Sequence, residues 1–296
     1  MNNKILLVAP PVENETRGRS ADDDEKWCVP VYAFIYLEAM LHNDYEVEMK
    51  NYTMRSSEKY HRDFKKILDE FNPSTIGFYT STGGRTEVYK SINFIKRYYP
   101  DKKIILGGPH ASSMYNQLLE NFSVDAIVVG EGERTIVELM DAFMKNKPIK
   151  SIKGIAYKNG KDIIFTGFRE LIRNLDEIPI PNYDLVMNEG IKSIGIMSSR
   201  GCPNACSFCS DNLQRFERVW RARSPKHVVH EIEILSKYPY LKQIQFIDDV
   251  QHENLETHHV HLRPSRMHQQ GVAIGADVDE LALEAEHRQK VDEIAL

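Results

Sequence analysis

The chain has 296 residues and a formal net charge of -5 at pH 7, and this length is sufficient for two domains that each bury a core. The acidic balance excludes a strongly basic nucleic-acid surface over the whole chain. The sequence has no run of about 18 apolar residues, the length that a membrane-spanning helix needs. We therefore expect a soluble, cytoplasmic protein with no membrane span and no nucleic-acid partner.

The first 150 residues alternate short apolar runs with amphipathic segments. The run from Ile5 to Ala9 is continuously apolar and is followed by two prolines, which is typical of a strand buried on both faces of a parallel sheet. This alternation predicts a Rossmann-like, doubly wound parallel sheet over residues 1–150. Further strands are predicted at 46–49, 75–79, 103–106 and 126–129, and helices at 30–43, 58–70, 86–98, 113–120 and 134–146.

Three loops that follow predicted strands are rich in glycine and other small residues. They cover residues 80–84, 107–112 and 130–133. Loops at the carboxyl ends of parallel strands form the ligand crevice of such sheets, and glycine lets a large or phosphate-bearing ligand approach the backbone. One such loop alone is as often a plain turn, but three in this order predict a binding site. His110, in the second loop, is interpreted as a hydrogen-bonded loop residue.

Residues 151–190 are interpreted as a hairpin and a linker. The pair Asn159-Gly160 lies between two strand-like runs and predicts a two-residue hairpin turn. The proline-containing stretch 178–184 predicts an extended connector to a second domain.

Residues 191–250 have the pattern of the first part of an α/β barrel. A strand is predicted at 193–197, a helix at 225–237 with Ser224 as its cap, and a second strand at 243–247. Active sites of α/β barrels lie at the carboxyl ends of the strands. The segment that follows the first of these strands is therefore the place to look for chemistry.

Three cysteines, Cys202, Cys206 and Cys209, lie in that segment. Thiolates separated by three and then two residues can converge on one iron-sulfur cluster. A cluster with only three protein ligands leaves one iron open for a small molecule, by the logic that separates open catalytic metal sites from closed structural ones. The alternative is a structural zinc site, with His227 or His230 as the fourth ligand.

The cysteine spacing, with Phe208 directly before the last cysteine, resembles the signature of the radical S-adenosylmethionine (SAM) enzymes. The loop 107–112 and the segments 124–135 and 175–181 resemble the subgroup of these enzymes that carries a cobalamin-binding domain. The resemblance covers about residues 1–250. It implies an N-terminal Rossmann-like domain of the cobalamin-binding type, followed by an incomplete radical SAM α/β barrel, which is a partial TIM barrel.

The resemblance also implies an activity. The expected protein is an enzyme that uses a [4Fe-4S] cluster to cleave SAM reductively, as a cobalamin-dependent methyltransferase or a radical cyclase. Its expected partners are a small-molecule substrate and an electron donor such as flavodoxin or ferredoxin. No single catalytic residue and no particular substrate is assigned. The alternatives are an inactive cobalamin- and iron-sulfur-binding fragment and a zinc-stabilised α/β binding protein.

Ligand contacts are carried over residue by residue. The cluster ligands implied by the resemblance are Cys202, Cys206 and Cys209. The SAM contacts are Phe208, Asp248 and Asp249, and the cobalamin contacts are Ser81, Gly107, Gly108 and Gly130. The chain lacks the Asp-x-His-x-x-Gly motif by which many cobalamin proteins ligate cobalt, so cobalamin either binds without that histidine or does not bind.

Two sets of charged residues in the second domain each allow two interpretations, as ligand contacts or as solvent-exposed residues. Asp248 and Asp249 end a predicted strand and can accept hydrogen bonds from a ligand ammonium group, or can form a solvated turn. The basic run Arg218, Arg221 and Arg223 can neutralise the SAM carboxylate or the cluster, or can be a solvated face.

Residues 251–296 differ in composition from the rest of the chain. They contain no aromatic Phe, Trp or Tyr, six of the eleven histidines, and four Lys or Arg against nine Asp or Glu. Scattered histidines without a defined spacing rarely form a metal site. We interpret this stretch as an atypical tail, a foreign or frame-shifted end on a truncated enzyme, in which residues 277–294 have the pattern of an acidic amphipathic helix.

Overall fold

The computed structural model describes residues 2–12, 31–204, 206–207, 209, 218–248 and 259–261, the last three as backbone alone. The chain divides into two compact units. The first unit comprises residues 1–171 and 206–216, and the second comprises residues 172–205 and 217–296. The predictions for Phe208, for Asp249 and for the helix at 277–294 lie outside the described residues.

The first unit is built on a seven-stranded sheet in the order β2-β1-β3-β4-β5-β6-β7. Strands β1 to β5 are parallel, whereas β6 and β7 run antiparallel at one side. The strands are β1 (Lys4–Ala9), β2 (Glu46–Asn51), β3 (Thr75–Tyr79), β4 (Lys103–Gly107), β5 (Ala126–Val128), β6 (Ile155–Asn159) and β7 (Asp162–Phe165). The helices are α1 (Tyr32–Leu41), α2 (Ser57–Glu70), α3 (Arg85–Tyr98), α4 (Pro109–Ser113), α5 (Tyr115–Asn121) and α6 (Glu133–Met144).

Strand β1 shows why the sheet has helices on both faces. All of its apolar side chains are buried, and they alternate between two cores. Leu6 packs in a core with residues of α2 and α3, whereas Leu7 packs in the other core with residues of α1 and α6. A strand that is apolar at every position requires cover on both sides, so the predicted doubly wound α/β sheet is confirmed.

The predicted hairpin is present, and it belongs to the sheet. Asn159 pairs with Asp162 across the turn, and Gly160 has a φ of 62°. This left-handed conformation favours glycine. The two turn residues are Gly160 and Lys161, one position later than the predicted pair Asn159-Gly160. Because β6 pairs antiparallel with β5, the hairpin that the sequence suggested as part of a linker extends the sheet of the first unit.

The region after β4 differs from the predicted single helix at 113–120. Two short helices occur there, α4 and α5, with Met114 between them. Gly108 has a φ of 94°, and Pro109 follows it at the first position of α4. Proline has no N–H and a fixed φ, so it starts a helix readily, and the helix therefore begins earlier than the apolar periodicity indicated.

The second unit contains a three-stranded sheet in the order β12-β11-β8 and a two-stranded ribbon of β9 and β10. Strand β11 is parallel to β8, as expected for the first two strands of an α/β barrel, whereas β12 is antiparallel to β11. The elements are β8 (Ser193–Ile196), β9 (Ser199–Arg200), β10 (Arg221–Ala222), α7 (Pro225–Leu235), β11 (Gln243–Phe246) and β12 (His259–His261).

Helix α7 begins as predicted. The hydroxyl of Ser224 accepts a hydrogen bond from the backbone N–H of His227 at 3.2 Å, and Pro225 is the first helical residue. This arrangement satisfies one of the free N–H groups at the helix start.

In the described part of the chain no helix has both the length and the apolar character that crossing a membrane requires.

Candidate functional site

The glycine-containing loops of the first unit meet at one edge of its sheet, because β1, β3, β4 and β5 are parallel and end there. Backbone hydrogen bonds join the loops. The N–H of Thr80 donates to the carbonyl of Gly107 at 2.8 Å, and the N–H of His110 donates to the carbonyl of Thr80 at 3.1 Å. The N–H of Gly130 donates to the hydroxyl of Ser112 at 3.3 Å. The structure thus brings the predicted crevice loops together.

Gly107 and Gly130 leave open space over the backbone. A Cβ atom added at either position would meet no atom of the described residues within 4 Å. At Gly130 the φ of 86° requires glycine in any case. Gly107 has neither a positive φ nor a close neighbour among the described residues, so packing against those residues does not explain its missing side chain. The open backbone fits the close approach of a large ligand.

Gly108 is glycine for a different reason. Its φ is 94°, and a Cβ there would lie 3.1 Å from the carbonyl oxygen of Thr80 and 3.1 Å from the ring of Tyr79. Both the conformation and the contact demand the smallest residue. This glycine shapes the loop, whereas Gly107 leaves it open.

Ser81 lies in the loop between β3 and α3. Its hydroxyl accepts a hydrogen bond from the N–H of Gly84 at 3.1 Å, which closes the turn before α3. A hydroxyl accepts one such bond and can still donate its own proton. Ser81 therefore has a hydrogen atom to offer to a ligand in the crevice.

His110 ties two of the loops to helix α3. Its Nδ1 lies 3.3 Å from the hydroxyl of Thr82, and its Nε2 lies 3.0 Å from the hydroxyl of Tyr89. Burial lowers the pKa of His110, and the nearby Arg85 guanidinium lowers it further. The prediction that His110 is hydrogen-bonded is confirmed, but the residue lies in helix α4 and not in a loop.

The cysteine segment, from Gly201 to Cys209, follows β8 and β9. Cys202 belongs to the second unit, whereas Cys206 and Cys209 belong to the first. Gly201 has a φ of 93° directly before Cys202, so a left-handed turn that favours glycine leads into the first cysteine. Cys202 and Cys209 are partly exposed, Cys206 is exposed, and all three are free thiols. The N–H of Cys209 donates to the carbonyl of Cys206 at 3.1 Å, as in a tight turn. Free, accessible thiols suit a metal cluster rather than a disulfide.

Among the described side chains, no three His, Cys, Asp or Glu residues converge on a point that could hold a metal ion. The structure thus does not bring Cys202, Cys206 and Cys209 together at one point, and their role as cluster ligands stays a prediction from their spacing. For the zinc alternative, Nδ1 of His227 accepts a hydrogen bond from Nε of Arg223 at 3.1 Å, and His230 contacts Glu233 on its own helix. Neither histidine is placed as a fourth ligand.

The carboxylate of Asp248 accepts hydrogen bonds from the residues that lead into the cysteine segment. One carboxylate oxygen accepts hydrogen bonds from the backbone N–H groups of Ser198 at 2.8 Å and Ser199 at 2.9 Å. The other oxygen accepts a hydrogen bond from the Ser198 hydroxyl. A carboxylate offers about four lone pairs, so one acceptor position on the second oxygen is left for a ligand. Asp248 is thus a structural anchor as well as a candidate ligand contact.

The basic run is mostly buried, which sequence reasoning did not foresee. Arg218 is exposed, but Arg221 and Arg223 are buried. Nη1 of Arg221 donates to the carbonyl of Ile172 at 2.7 Å, and Arg223 forms an ion pair with Glu231 on α7. The solvated-face interpretation therefore applies to Arg218 and is wrong for the other two arginines.

Glu231 was missed because a charged residue on a helix is usually placed on the solvent side. It is fully buried, and the hydroxyl of Tyr183 donates to one of its oxygens. The sequence did indicate its burial, because Glu231 follows Val228 by three residues and precedes Leu235 by four, which places it on the apolar face of the predicted helix.

Comparison with known proteins places the chain in a family. Over 252 residues it is 33% identical to a protein described as an uncharacterized methyltransferase of Pyrococcus horikoshii, covering 83% of this chain and 53% of that protein. Residues 27–140 match the family model of the B12 binding domain, and this range contains the loops around Ser81, Gly107 and Gly130. The chain belongs to the cobalamin-binding-domain subgroup of the radical SAM enzymes.

A second curated protein is also similar to the chain. It is 32% identical over 186 residues to the anaerobic magnesium-protoporphyrin IX monomethyl ester cyclase of Cereibacter sphaeroides, covering 59% of this chain and 30% of the cyclase. The chain thus spans about half the length, or less, of these two curated relatives.

Two solved structures have the same fold. The radical SAM methyltransferase TsrM from Kitasatospora setae, with cobalamin and a [4Fe-4S] cluster bound, has a TM-score of 0.64 at 20% identity, covering 84% of this chain and 48% of TsrM. The cobalamin-dependent radical enzyme OxsB, with aqua-cobalamin and SAM bound, has a TM-score of 0.67 at 19% identity, covering 84% of this chain and 34% of OxsB. At this identity the likeness confirms the α/β fold.

Proposed function

We propose that this chain carries the cobalamin-binding and SAM-cleaving parts of a radical SAM enzyme, and that the enzyme transfers a methyl group to a small-molecule substrate. The observation that carries the proposal is the segment of three free thiols that follows β8 and β9, in a chain whose residues 27–140 match the B12 binding domain. When bound, a [4Fe-4S] cluster supplies the electron for reductive cleavage of SAM, and cobalamin supplies a methyl carrier.

The residues of the chain have separate roles in this proposal. Cys202, Cys206 and Cys209 hold the cluster and leave one iron open. The remaining acceptor position of Asp248 receives a hydrogen bond from the ammonium group of SAM, together with Asp249, and Phe208 packs beside SAM. The nucleotide tail of cobalamin contacts the hydroxyl of Ser81 and the backbone near Gly107, Gly108 and Gly130. Space over the backbone is open at Gly107 and Gly130 among the described residues.

Methyl transfer is preferred to cyclisation because the methyltransferase of Pyrococcus horikoshii matches 83% of this chain and the cyclase matches 59%. An electron donor such as flavodoxin or ferredoxin is required to reduce the cluster. A reducing compartment preserves thiolate clusters, so we place the protein in the cytoplasm.

Electron paramagnetic resonance (EPR) spectroscopy tests the proposal. The protein is reconstituted with iron and sulfide without oxygen, reduced with dithionite, and measured with and without SAM. We expect a cubane signal that changes when SAM is added, because SAM binds the open iron. A signal that does not change when SAM is added contradicts the proposal. Protein that contains zinc without iron supports the zinc-stabilised alternative.

The products of SAM distinguish the two activities. A methyltransferase removes the methyl group of one SAM and forms S-adenosylhomocysteine, while reductive cleavage of another SAM forms 5′-deoxyadenosine. A cyclase forms 5′-deoxyadenosine without S-adenosylhomocysteine. We expect cobalamin-loaded protein to form both products, and formation of 5′-deoxyadenosine alone under reducing conditions contradicts methyl transfer.

A further inference from the structure

Arg223 holds the backbone that leads from β8 into the cysteine segment. Its Nη1 donates to the carbonyl of Met197 at 2.6 Å, and its backbone N–H donates to the carbonyl of Ser198 at 2.8 Å. These two carbonyls lie four and five residues before Cys202. Arg223 therefore binds carbonyl groups of the same short stretch whose N–H groups, those of Ser198 and Ser199, donate to Asp248.

The guanidinium of Arg223 is itself fixed by buried groups. Its side chain is 3% exposed and that of its ion-pair partner Glu231 is 0% exposed. The hydroxyl of Tyr183 donates to the other oxygen of Glu231, and Nε of Arg223 donates to His227. With its donors directed at protein groups, Arg223 is not placed to receive the carboxylate of SAM.

Stability alone does not account for such a pair. Moving two charges out of water costs several kcal/mol, and replacing a buried ion pair by apolar residues of similar volume is often neutral or stabilising. What the charged pair provides here is geometry, because a planar guanidinium can hold a carbonyl and a carboxylate in fixed directions.

We propose that Arg223 is a positioning residue for the cysteine segment, kept in place by Glu231 and Tyr183. The proposal rests on the proposed function, since positioning matters only if the cysteines hold a cluster that binds SAM. Arg223 fixes the direction of the Met197 and Ser198 carbonyls, and so the path by which the chain turns at Gly201 into Cys202. Groups that orient metal ligands in this way typically contribute about 10–100-fold to affinity or activity.

The test is the triple variant Arg223→Met/Glu231→Met/Tyr183→Phe, which removes both charges and the hydroxyl while nearly preserving volume. We expect cooperative unfolding with a midpoint close to that of the wild type. We also expect iron content to be retained and the SAM concentration for half of the EPR change to rise about 10–100-fold. Hydrogen exchange of the peptide covering residues 197–202 in the metal-free protein should become faster.

A matched control is the pair Arg169 and Glu138 of the first unit, whose two hydrogen bonds measure 2.8 Å and 2.6 Å. The variant Arg169→Met/Glu138→Met should leave the SAM titration unchanged. A second variant, Arg223→Lys, keeps the charge but cannot reproduce the planar fork of donors, and should raise the half-saturating SAM concentration in the same direction.

The outcomes separate the two proposals. If the wild type responds to SAM and the triple variant responds at the same concentration, the positioning role is wrong while the proposed function stands. If the triple variant loses cooperative unfolding and Arg223→Lys responds like the wild type, the pair serves stability and the positioning role is again wrong. A wild type that shows no response to SAM overturns the proposed function and the positioning role together.

Discussion

The two units present their ligand-binding backbone in different ways. In the first unit, loops at the end of a broad parallel sheet are joined mainly by backbone hydrogen bonds, such as those of Thr80, and glycines leave open space. In the second unit, the described sheet has two parallel strands, and the segment after β8 is held by charged side chains, Asp248 from one side and Arg223 from the other.

This difference follows from what each region has available. Five parallel strands already align their loops, so the first unit needs small residues more than additional contacts, and a large ligand can lie along the open edge. A loop after a strand with one parallel neighbour has fewer backbone partners. Hydrogen bonds to charged groups are stronger than those between neutral groups. A carboxylate and a guanidinium therefore hold the segment after β8 in place, where the sheet offers few backbone partners.

The largest expected effect is the loss of cluster binding without a loss of cobalamin binding. Cys206→Ala removes one of three thiolates and should abolish binding of a [4Fe-4S] cluster, measured as iron per chain after reconstitution. Cobalamin binding, measured by absorbance titration, should be unchanged because the loops around Ser81, Gly107 and Gly130 keep their sequence. Cys28→Ala, outside the motif, is the matched control and should retain iron. Full iron content in Cys206→Ala contradicts the assignment of the cluster ligands.

A side chain at Gly107 tests the open backbone of the first unit. Gly107→Val should fold normally, because the added Cβ meets no described atom within 4 Å, and should weaken cobalamin binding at least about tenfold, or 1.4 kcal/mol. Lys161→Val, at an exposed position of the hairpin turn, introduces the same side chain away from the loops; it is the control and should bind cobalamin normally. Equal affinities in both variants would place the cobalamin site elsewhere.

Removing the charge of Asp248 tests how far the second unit depends on charged anchors. Asp248→Asn replaces one acceptor oxygen by a donor that faces Ser198 or Ser199, so the free energy of unfolding should fall by roughly 1–3 kcal/mol. Denaturant titration measures this change. Asp162→Asn, on the exposed end of β7, should have little effect. An unchanged stability in Asp248→Asn would show that the anchor contributes nothing.

The smallest expected effect is a pH dependence centred on His110. Burial and Arg85 hold the folded-state pKa of His110 below its ordinary value of 6.5, so the unfolded chain takes up the proton first as the pH falls. The free energy of unfolding should therefore be highest above pH 6.5 and decrease as the pH falls below it. His110→Gln should flatten this part of the profile, and a profile identical to the wild type would contradict the assigned pKa direction.

Much of the molecule followed from local sequence patterns. Local patterns predicted the apolar strand before Pro10, the alternation through the first unit, the hairpin at Gly160 to within one residue, and the Ser224 cap. Each of these depends on neighbouring residues or on a short period. The cysteine spacing is a local pattern too, since three ligands within one loop need no distant partner, and the cluster-binding loop that it predicts stays a prediction.

The tertiary structure decided what depends on residues far apart in the chain. Asp248 reaches Ser198 across 50 residues, Tyr183 reaches Glu231 across 48, and the hairpin after β5 joins the sheet by pairing that no local pattern specifies. A buried charge is stable only where a partner meets it, and the sequence does not state which partner that is. The spacing of the cysteines predicted which chemistry to expect, and the fold decided which side chains hold the backbone in front of them.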